Sequence, residues 1–253
     1  MIIRSTVVDG PIFARRNSLK NPLIMAHRGG NELAPQNSLP AFERSCATGV
    51  WALESDIRFT KDGVPICMHD ADVAAMTDGE GLVADLTFAE IKEIRIDTGA
   101  FSDTLPRDSL RVPTMDDYFD ICMKYGTVPF IELKEDDGIE AVIDGLRRRS
   151  MESYAVISSA KFERLARSRE LSDRVFIHHI FSSKERFDDL CELGYAGLSF
   201  KIANPDDMPE GLAGEVHSRG LRFCLRAADT PEAVRKMICL GLDYQPSNKV
   251  FGL

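Results

Sequence analysis

The sequence predicts an α/β fold, a (β/α)8 barrel, and three observations support that prediction. The chain has 253 residues, close to the roughly 250 that are typical of such barrels. Short apolar runs alternate with amphipathic stretches from about residue 23 to the end, without an intervening linker. A doubly wound open sheet is the alternative. It usually needs fewer strands, and no Gly-x-Gly-x-x-Gly motif follows the first run.

The candidate strands are short and largely apolar, as in a parallel sheet that helices cover on its outer face. They are Leu23–Ala26, Ala52–Ile57, Val128–Leu133, Ala155–Ile157, Val175–Ile180, Ala196–Phe200, Arg222–Leu225 and Leu242–Gln245.

Three of the intervening helices carry clear end signals, with a capping hydroxyl at the start and a glycine at the end. These are the helix from Ser38 through Cys46 before Gly49, the helix that Thr114 and Asp117 open before Gly126, and the helix that Thr230 and Pro231 open before Gly241.

One segment, at about residues 70–112, interrupts the alternation because it contains no clear βα unit. Thr87 to Glu90 has the pattern of a capping box for a short helix. Apolar residues are spread through the segment, at Leu82, Val83, Leu86, Phe88, Ile91 and Ile94. An insertion of this size usually either covers a site or is disordered. We expect an ordered cap, inserted after the second strand, over one end of a single domain that spans residues 1–253.

The composition excludes several classes of partner. A formal net charge of -9 repels nucleic acid and offers no attraction to anionic membranes. No apolar run approaches the roughly 18 residues of a membrane span, and the start at residues 1–6 does not resemble a signal peptide. The six cysteines form no Cys-x-x-Cys pair, which favours free thiols in the reducing cytoplasm. The oligomeric state stays open, a dimer included.

The residues that carry chemistry begin immediately after the first apolar run. His27, Arg28, Gly29 and Gly30 place a titratable ring and a fixed cation in a loop, and the glycines let the backbone approach a ligand closely. A His-Arg pair by itself is more often structural.

A second group lies on the next predicted strand, where Glu54 and Asp56 are two positions apart and project to one side. Two carboxylates on one face of a buried strand repel each other, and a divalent cation between them is the simplest compensation. A solvated strand end is the alternative interpretation.

Two further stretches are predicted to meet this pair. Asp62 and Gly63 signal a hairpin turn that would return His69 towards Glu54 and Asp56. Glu132 and Lys134 share one face of the third predicted strand, and strand ends line one mouth of a barrel. Carboxylates, imidazoles and cations together suit a metal-bound phosphate ester: oxygens hold a hard cation, Arg28 and Lys134 neutralise phosphoryl oxygens, and the histidines serve as acid and base.

These motifs together resemble the glycerophosphodiester phosphodiesterase family, whose pattern is His-Arg-Gly, Pro-Glu-Asn-Thr, Glu-x-Asp, a Thr-x-Asp-Gly run that ends in His-Asp, and Glu-x-Lys. The corresponding stretches here have the same order and spacing. They are residues 27–29, 35–38, 54–56, 60–70 and 132–134. The resemblance covers residues 23–135 well and the C-terminal half loosely.

The resemblance implies a barrel enzyme that cleaves a phosphodiester with a divalent cation, Mg²⁺ or Ca²⁺. By the same analogy, the metal ligands are Glu54, Asp56 and Glu132, the acid/base pair is His27 and His69, and Arg28 and Lys134 hold the phosphate.

Three departures from the family pattern stand out. Gln36 replaces a glutamate, which removes a negative charge near the metal. The seventh strand ends in residues 225–228 without the usual tryptophan, and Arg226 beside that position suggests a more anionic leaving group, unless it faces outward. The eighth-strand region, residues 241–248, ends in Asn248 where the pattern has aspartate.

The predicted function is therefore metal-dependent hydrolysis of a small-molecule glycerophosphodiester to an alcohol and glycerol 3-phosphate. Two routes remain open: attack by water, or attack by a neighbouring substrate hydroxyl to give a cyclic phosphate that water then opens. One alternative hypothesis is a lysophospholipase D or lyase activity on lysophospholipids. Another is a barrel that binds phosphodiesters without cleaving them.

Overall fold

A computed structural model describes residues 10–14, 18, 20, 22–226 and 229–250 of the chain. The predictions made for residues 1–6 and for Ala227 and Ala228 lie outside these residues. The described strands are β1 (Ile24–Ala26), β2 (Ala52–Phe59), β3 (Pro65–Cys67), β4 (Val128–Leu133), β5 (Val156–Ser159), β6 (Phe176–Ser182), β7 (Ala196–Phe200), β8 (Arg222–Cys224) and β9 (Gln245–Ser247). The helices are α1 (Leu39–Ala47), α2 (Phe88–Ile91), α3 (Met115–Tyr125), α4 (Ile139–Arg148), α5 (Phe162–Leu171), α6 (Phe187–Leu193), α7 (Leu212–Ser218) and α8 (Pro231–Cys239).

Eight of the strands form a nearly closed parallel barrel, which confirms the predicted fold class. Their order is β8-β7-β6-β5-β4-β2-β1-β9, and β3 pairs antiparallel with β2 outside this order. At the seam between β8 and β9, Asp243 N donates to Phe223 O at 3.0 Å, and Phe223 N donates to Asp243 Oδ2 at 2.9 Å. Because the strands are parallel, their carboxyl ends meet at one end of the barrel, which we call the mouth.

Alternating side chains divide the apolar residues between two layers. Outward residues such as Leu53, Ile57 and Ile131 pack in the layer shared with the helices. Inside the barrel, Phe13, Trp51 and the early strand residues fill the amino-terminal end. That end is therefore a packed core, and the polar interior residues lie towards the mouth.

The last strand begins three residues later than predicted, at Gln245 instead of Leu242. The apolar residue Tyr244 is fully buried, and its ring lies 5.2 Å from that of Trp51. The apolar residue before Gln245 therefore packs at the amino-terminal end of the barrel. The strand pairing itself begins only at Gln245, which lies beside Ile24, and continues with Pro246 beside Met25.

The insertion after β3 is ordered and has its own apolar cluster, which contains Ile66, Met68, Val73, Val83, Ile91 and Val112. Thr87 and Glu90 form the predicted capping box at the start of α2. Leu82, by contrast, is 47% exposed. The segment lies against the β1–α1 connection, since a Cβ on Gly99 would come within 3.0 Å of Pro35 Cα.

The start of α3 shows how strongly a predicted cap is held. Thr114 Oγ1 accepts from Asp117 N, and Asp117 accepts from Thr114 N and from both terminal nitrogens of Arg111. Burial opposes ionisation of Asp117, but the bonds from Arg111 and Thr114 outweigh it and lower its pKa to about 2.

We expect Asp117→Asn to lower the free energy of unfolding by about 1–2 kcal/mol at pH 7, because a lowered carboxyl pKa stabilises the folded state above the pKa of the unfolded chain. The difference from wild type should shrink as the pH falls from about 4 towards 2. Urea unfolding at several pH values measures both effects. Asp116→Asn is the matched control in the same first turn, where the carboxylate is 56% exposed, and it should change stability far less.

Candidate functional site

Three acidic side chains from two strands meet at the mouth. Glu54 and Asp56 lie on β2, and the pairing of β2 with β4 sets Asp56 directly beside Glu132. One carboxylate oxygen from each of the three lies within 4.8 Å of the other two. We call these residues the carboxylate cluster. The convergence predicted from distant parts of the sequence is therefore present.

Burial sets the charge state of the carboxylate cluster. Burial, together with repulsion from Asp56 and Glu132, raises the pKa of Glu54 well above its usual range. Burial and Asp56 likewise raise the pKa of Glu132. Burial also opposes ionisation of Asp56, but Lys134, Asn37 and Arg28 outweigh it and lower the pKa of Asp56. Negative charge therefore concentrates on Asp56, and the two glutamates resist ionisation until more positive charge arrives.

The two predicted phosphate-binding cations contact the carboxylate cluster directly. Lys134 Nζ lies 2.9 Å from Asp56 Oδ1 and also bonds Glu132 Oε1. Arg28 Nε lies 3.6 Å from Asp56 Oδ2. Burial of Lys134 works against its charge, but Asp56 and Glu132 outweigh that effect and raise its pKa. Lys134 therefore stays charged beside the carboxylates.

The donor set fits a divalent cation. Carboxylate oxygens are the ligands that Mg²⁺ and Ca²⁺ prefer. Within the described part of the chain, Glu54 Oε1 is buried and accepts no hydrogen bond, a costly state for an ionised carboxylate. A bound cation would satisfy that oxygen and let Glu54 and Glu132 ionise.

The His27–Gly29 turn brings backbone and side-chain groups to the carboxylate cluster. Arg28 adopts a left-handed conformation with φ 51°, and its N–H donates to Glu54 Oε2 at 2.6 Å. Gly29 follows at φ 86°, where a Cβ would come within 2.9 Å of Ala41 Cβ and Phe42 Cδ1. The strained turn is thus held by its contacts, as is common at functional sites.

Asn37 is a site residue to which the sequence assigned no role. It is buried, and its Nδ2 donates to Asp56 Oδ2 at 2.8 Å while its Oδ1 accepts from Ser55 Oγ at 2.8 Å. Its φ of 50° is one that asparagine tolerates better than most residues. Its place in the Pro-Gln-Asn-Ser motif was the signal that could have identified it.

His27 is oriented by residues from the end of the chain. Its Nδ1 lies 2.7 Å from Asn248 Oδ1, and Asn248 donates through N and Nδ2 to Asp229 at 2.7 and 2.8 Å. Because Asp229 fixes the amide orientation, Nδ1 of His27 carries the proton and Nε2 carries a lone pair, 4.0 Å from Glu54 Oε2. Burial lowers the pKa of His27, with a smaller opposing effect from the Asn248 bond.

His69 follows β3, and the preceding residue, Met68, donates its N–H to Asp56 O at 2.9 Å, which places His69 beside the strand that carries Glu54 and Asp56. Its Nδ1 lies 3.1 Å from Asp70 Oδ1, and its side chain is 31% exposed. The antiparallel pairing of β3 with β2, which places Cys67 opposite Ile57, returns the chain as the hairpin signal predicted.

Comparison with known proteins agrees with this geometry. The family model of the glycerophosphoryl diester phosphodiesterases matches residues 27–243.

The chain belongs to the glycerophosphoryl diester phosphodiesterase family.

Individual relatives extend this result. Glycerophosphodiester phosphodiesterase from Caldanaerobacter subterraneus is 34% identical over 143 residues, 54% of this chain and 57% of that protein. Mouse glycerophosphodiester phosphodiesterase 1 is 35% identical over 111 residues, 44% of this chain and 33% of that protein. The matches thus span between a third and just over half of these relatives.

A solved structure of an Oleispira antarctica phosphodiesterase, in complex with the product sn-glycerol-3-phosphate, has the same fold. It aligns with a TM-score of 0.79 at 22% identity, covering 91% of this chain and 94% of that one. No helix among the described residues is both long and apolar enough to cross a membrane.

The departures from the pattern of the glycerophosphoryl diester phosphodiesterase family have defined positions. Gln36 Oε1 accepts from Arg28 Nη1 at 2.9 Å, so a neutral amide contacts the guanidinium there. Asn248 is the partner of His27. Arg226 is exposed, as is Lys201 at the end of β7.

Proposed function

We propose that the protein hydrolyses glycerophosphodiesters to an alcohol and glycerol 3-phosphate, with a divalent cation, Mg²⁺ or Ca²⁺, bound by Glu54, Asp56 and Glu132. The observation that carries the proposal is the convergence of three carboxylates from two strands within 4.8 Å. Family membership and the names of the relatives support the reaction class. The bound product in the Oleispira antarctica structure supports the substrate class.

The cations of the site suit a phosphate group. Lys134 has three donors, two of which contact Asp56 and Glu132, and the third is available for a phosphoryl oxygen. Arg28 donates one N–H to Gln36, and its remaining N–H groups can donate to the phosphate. When bound, a divalent cation would supply Lewis acidity and neutralise charge that develops on the phosphoryl oxygens.

The two histidines are the candidates for the proton transfers of the hydrolysis, and the hydrogen bond to Asn248 supports a proton position for His27. We propose that one accepts the proton of the attacking hydroxyl or water while the other donates a proton to the alcohol oxygen as its bond to phosphorus breaks. His27 Nε2, with its lone pair 4.0 Å from Glu54 Oε2 in the carboxylate cluster, is suited to accept. Attack by water and attack by a substrate hydroxyl both fit this assignment, and a transient cyclic phosphate in a ³¹P NMR time course would identify the second.

We further propose that residues 70–112 form a cap beside the mouth, within a domain that spans the chain. The contact of Gly99 with Pro35 supports this, because Pro35 belongs to the same connection as Arg28 and Asn37. All six cysteines are free thiols, which supports a cytoplasmic location.

The function is tested with a panel of glycerophosphodiesters that differ in the alcohol, with a phosphomonoesterase to release phosphate from the product. We expect phosphate release that EDTA abolishes and added Mg²⁺ or Ca²⁺ restores. Turnover of lysophospholipids with glycerophosphodiesters untouched would support the rival lysophospholipase D or lyase activity. Binding without any turnover would support a non-catalytic barrel.

We expect Asn37→Ala to weaken divalent-cation binding by about 10–100-fold, the usual effect of removing a group that orients a metal ligand. The reason is that Asn37 Nδ2 holds Asp56 Oδ2 in place. Isothermal titration calorimetry with the metal alone measures the change. Asn204→Ala is the control. Asn204 lies on an exposed turn, where its side chain accepts from Asp206 N, so its loss should leave the affinity for the cation unchanged.

A further inference from the structure

His69 lies just beyond the end of a strand ladder, so its backbone needs other support. The final bond between β2 and this part of the chain runs from Met68 N to Asp56 O at 2.9 Å. Within the described residues, no backbone N–H donates to the carbonyl of His69. The side-chain contact with Asp70 orients the ring but does not hold the peptide group.

Arg58 supplies that support. Its Nε and Nη2 both donate to His69 O, at 3.0 and 2.8 Å, which uses the planar fork of the guanidinium on one carbonyl. Arg58 lies on β2 two positions after Asp56, and its side chain is only 16% exposed.

The guanidinium is itself held from the segment just past β4. Arg58 Nη1 donates to Glu135 Oε1 at 3.2 Å, and Glu135 Oε2 accepts from Phe59 N at 3.1 Å. Glu135 follows directly after Lys134. A continuous set of hydrogen bonds therefore connects the segment just past β4, next to Lys134, to the peptide group of His69.

A purely structural role would resemble that of Arg169. That arginine also donates to several carbonyls, of Ser172, Val175 and Gly194, but at positions far along the chain from the carboxylate cluster. Arg58 differs because the carbonyl it holds belongs to a proposed acid/base residue. A shift of about 1 Å in such a group can cost about 100-fold in rate.

We propose that Arg58 is a positioning residue that fixes His69 relative to the carboxylate cluster, an inference that rests on the proposed acid/base role of His69. Among the described residues, the Arg58 side chain bonds only the backbone carbonyl of His69 and Glu135, and in this proposal it takes no part in binding the phosphate. Its loss should therefore lower kcat and leave KM nearly unchanged.

The test is a double-mutant cycle of Arg58→Met and His69→Ala, with Arg169→Met as the matched control. We expect Arg58→Met to lower kcat by about 10–100-fold, and to have less than about a twofold effect when His69 is already alanine. Arg58→Lys should recover little, because an ammonium cannot reproduce the fork. An equal loss of kcat in the wild-type and His69→Ala backgrounds would overturn the proposal.

A second readout does not depend on activity. The chain has five histidines, so ¹⁵N-histidine labelling gives few NMR signals, and His69→Ala assigns the one of interest. Arg58→Met should shift or broaden the His69 signal and leave the His217 signal unchanged, whereas an unchanged His69 signal would contradict the proposal. If the wild-type protein cleaves no glycerophosphodiester, the proposed function fails while this readout still decides the role of Arg58. If Arg58→Met does not fold, Arg58→Lys enters both experiments in its place.

Discussion

Asp56→Asn should lower kcat/KM by at least about 1000-fold and remove measurable binding of the divalent cation. Asp56 is fully buried and is the point where Lys134, Arg28 and Asn37 meet. It is also the member of the carboxylate cluster whose pKa is lowered, so it carries most of the negative charge. An amide of the same shape removes that charge and one cation ligand.

The variant should remain folded because the substitution conserves shape and relieves repulsion with Glu54 and Glu132. Circular dichroism and urea unfolding check this, and calorimetry with Mg²⁺ or Ca²⁺ measures binding. Asp136→Asn is the control, since Asp136 lies just past β4 but pairs with Lys161 and Arg164. Activity of Asp56→Asn within tenfold of wild type would exclude Asp56 from the metal site.

His27→Ala and His69→Ala should each lower turnover by at least about 100-fold, the usual contribution of a general acid or base. Their side chains are 30% and 31% exposed, so both variants should lose little stability. His217→Ala is the matched control, because His217 is 38% exposed and bonds Asp243 at the seam of the barrel. If either site variant keeps a rate near that of wild type, the acid/base assignment is wrong.

A substrate with a more acidic alcohol separates the two roles. Such a leaving group needs no protonation, so it should rescue the variant that lacks the general acid and not the variant that lacks the base. Because Asn248 and Asp229 hold the proton on His27 Nδ1, we expect the rescue with His69→Ala. Rescue of His27→Ala instead would reverse the assignment.

Local patterns in the sequence predicted most of the elements. All eight candidate strands overlap observed ones, the last only at Gln245, and the caps at Ser38, Thr114 and Thr230 are present as predicted. The last strand is displaced by three residues, because Tyr244 was counted as a strand residue but packs inside the barrel before the strand begins. α4 was not singled out because it begins after Gly138, with no side-chain cap.

Residue types and spacing in the sequence were sufficient to predict that the carboxylate cluster, both histidines, Arg28 and Lys134 lie near one another. The reason is that strand alternation and parallel pairing direct such residues to one mouth of a barrel. Asn37, Arg58, Asn248 and Asp229 gained their roles only in the tertiary structure. Their hydrogen bonds join distant parts of the chain: Arg58 donates to His69, 11 positions away, and Asn248 contacts His27, 221 positions away. No local period encodes such a contact, because it depends on which loops the closed barrel brings side by side.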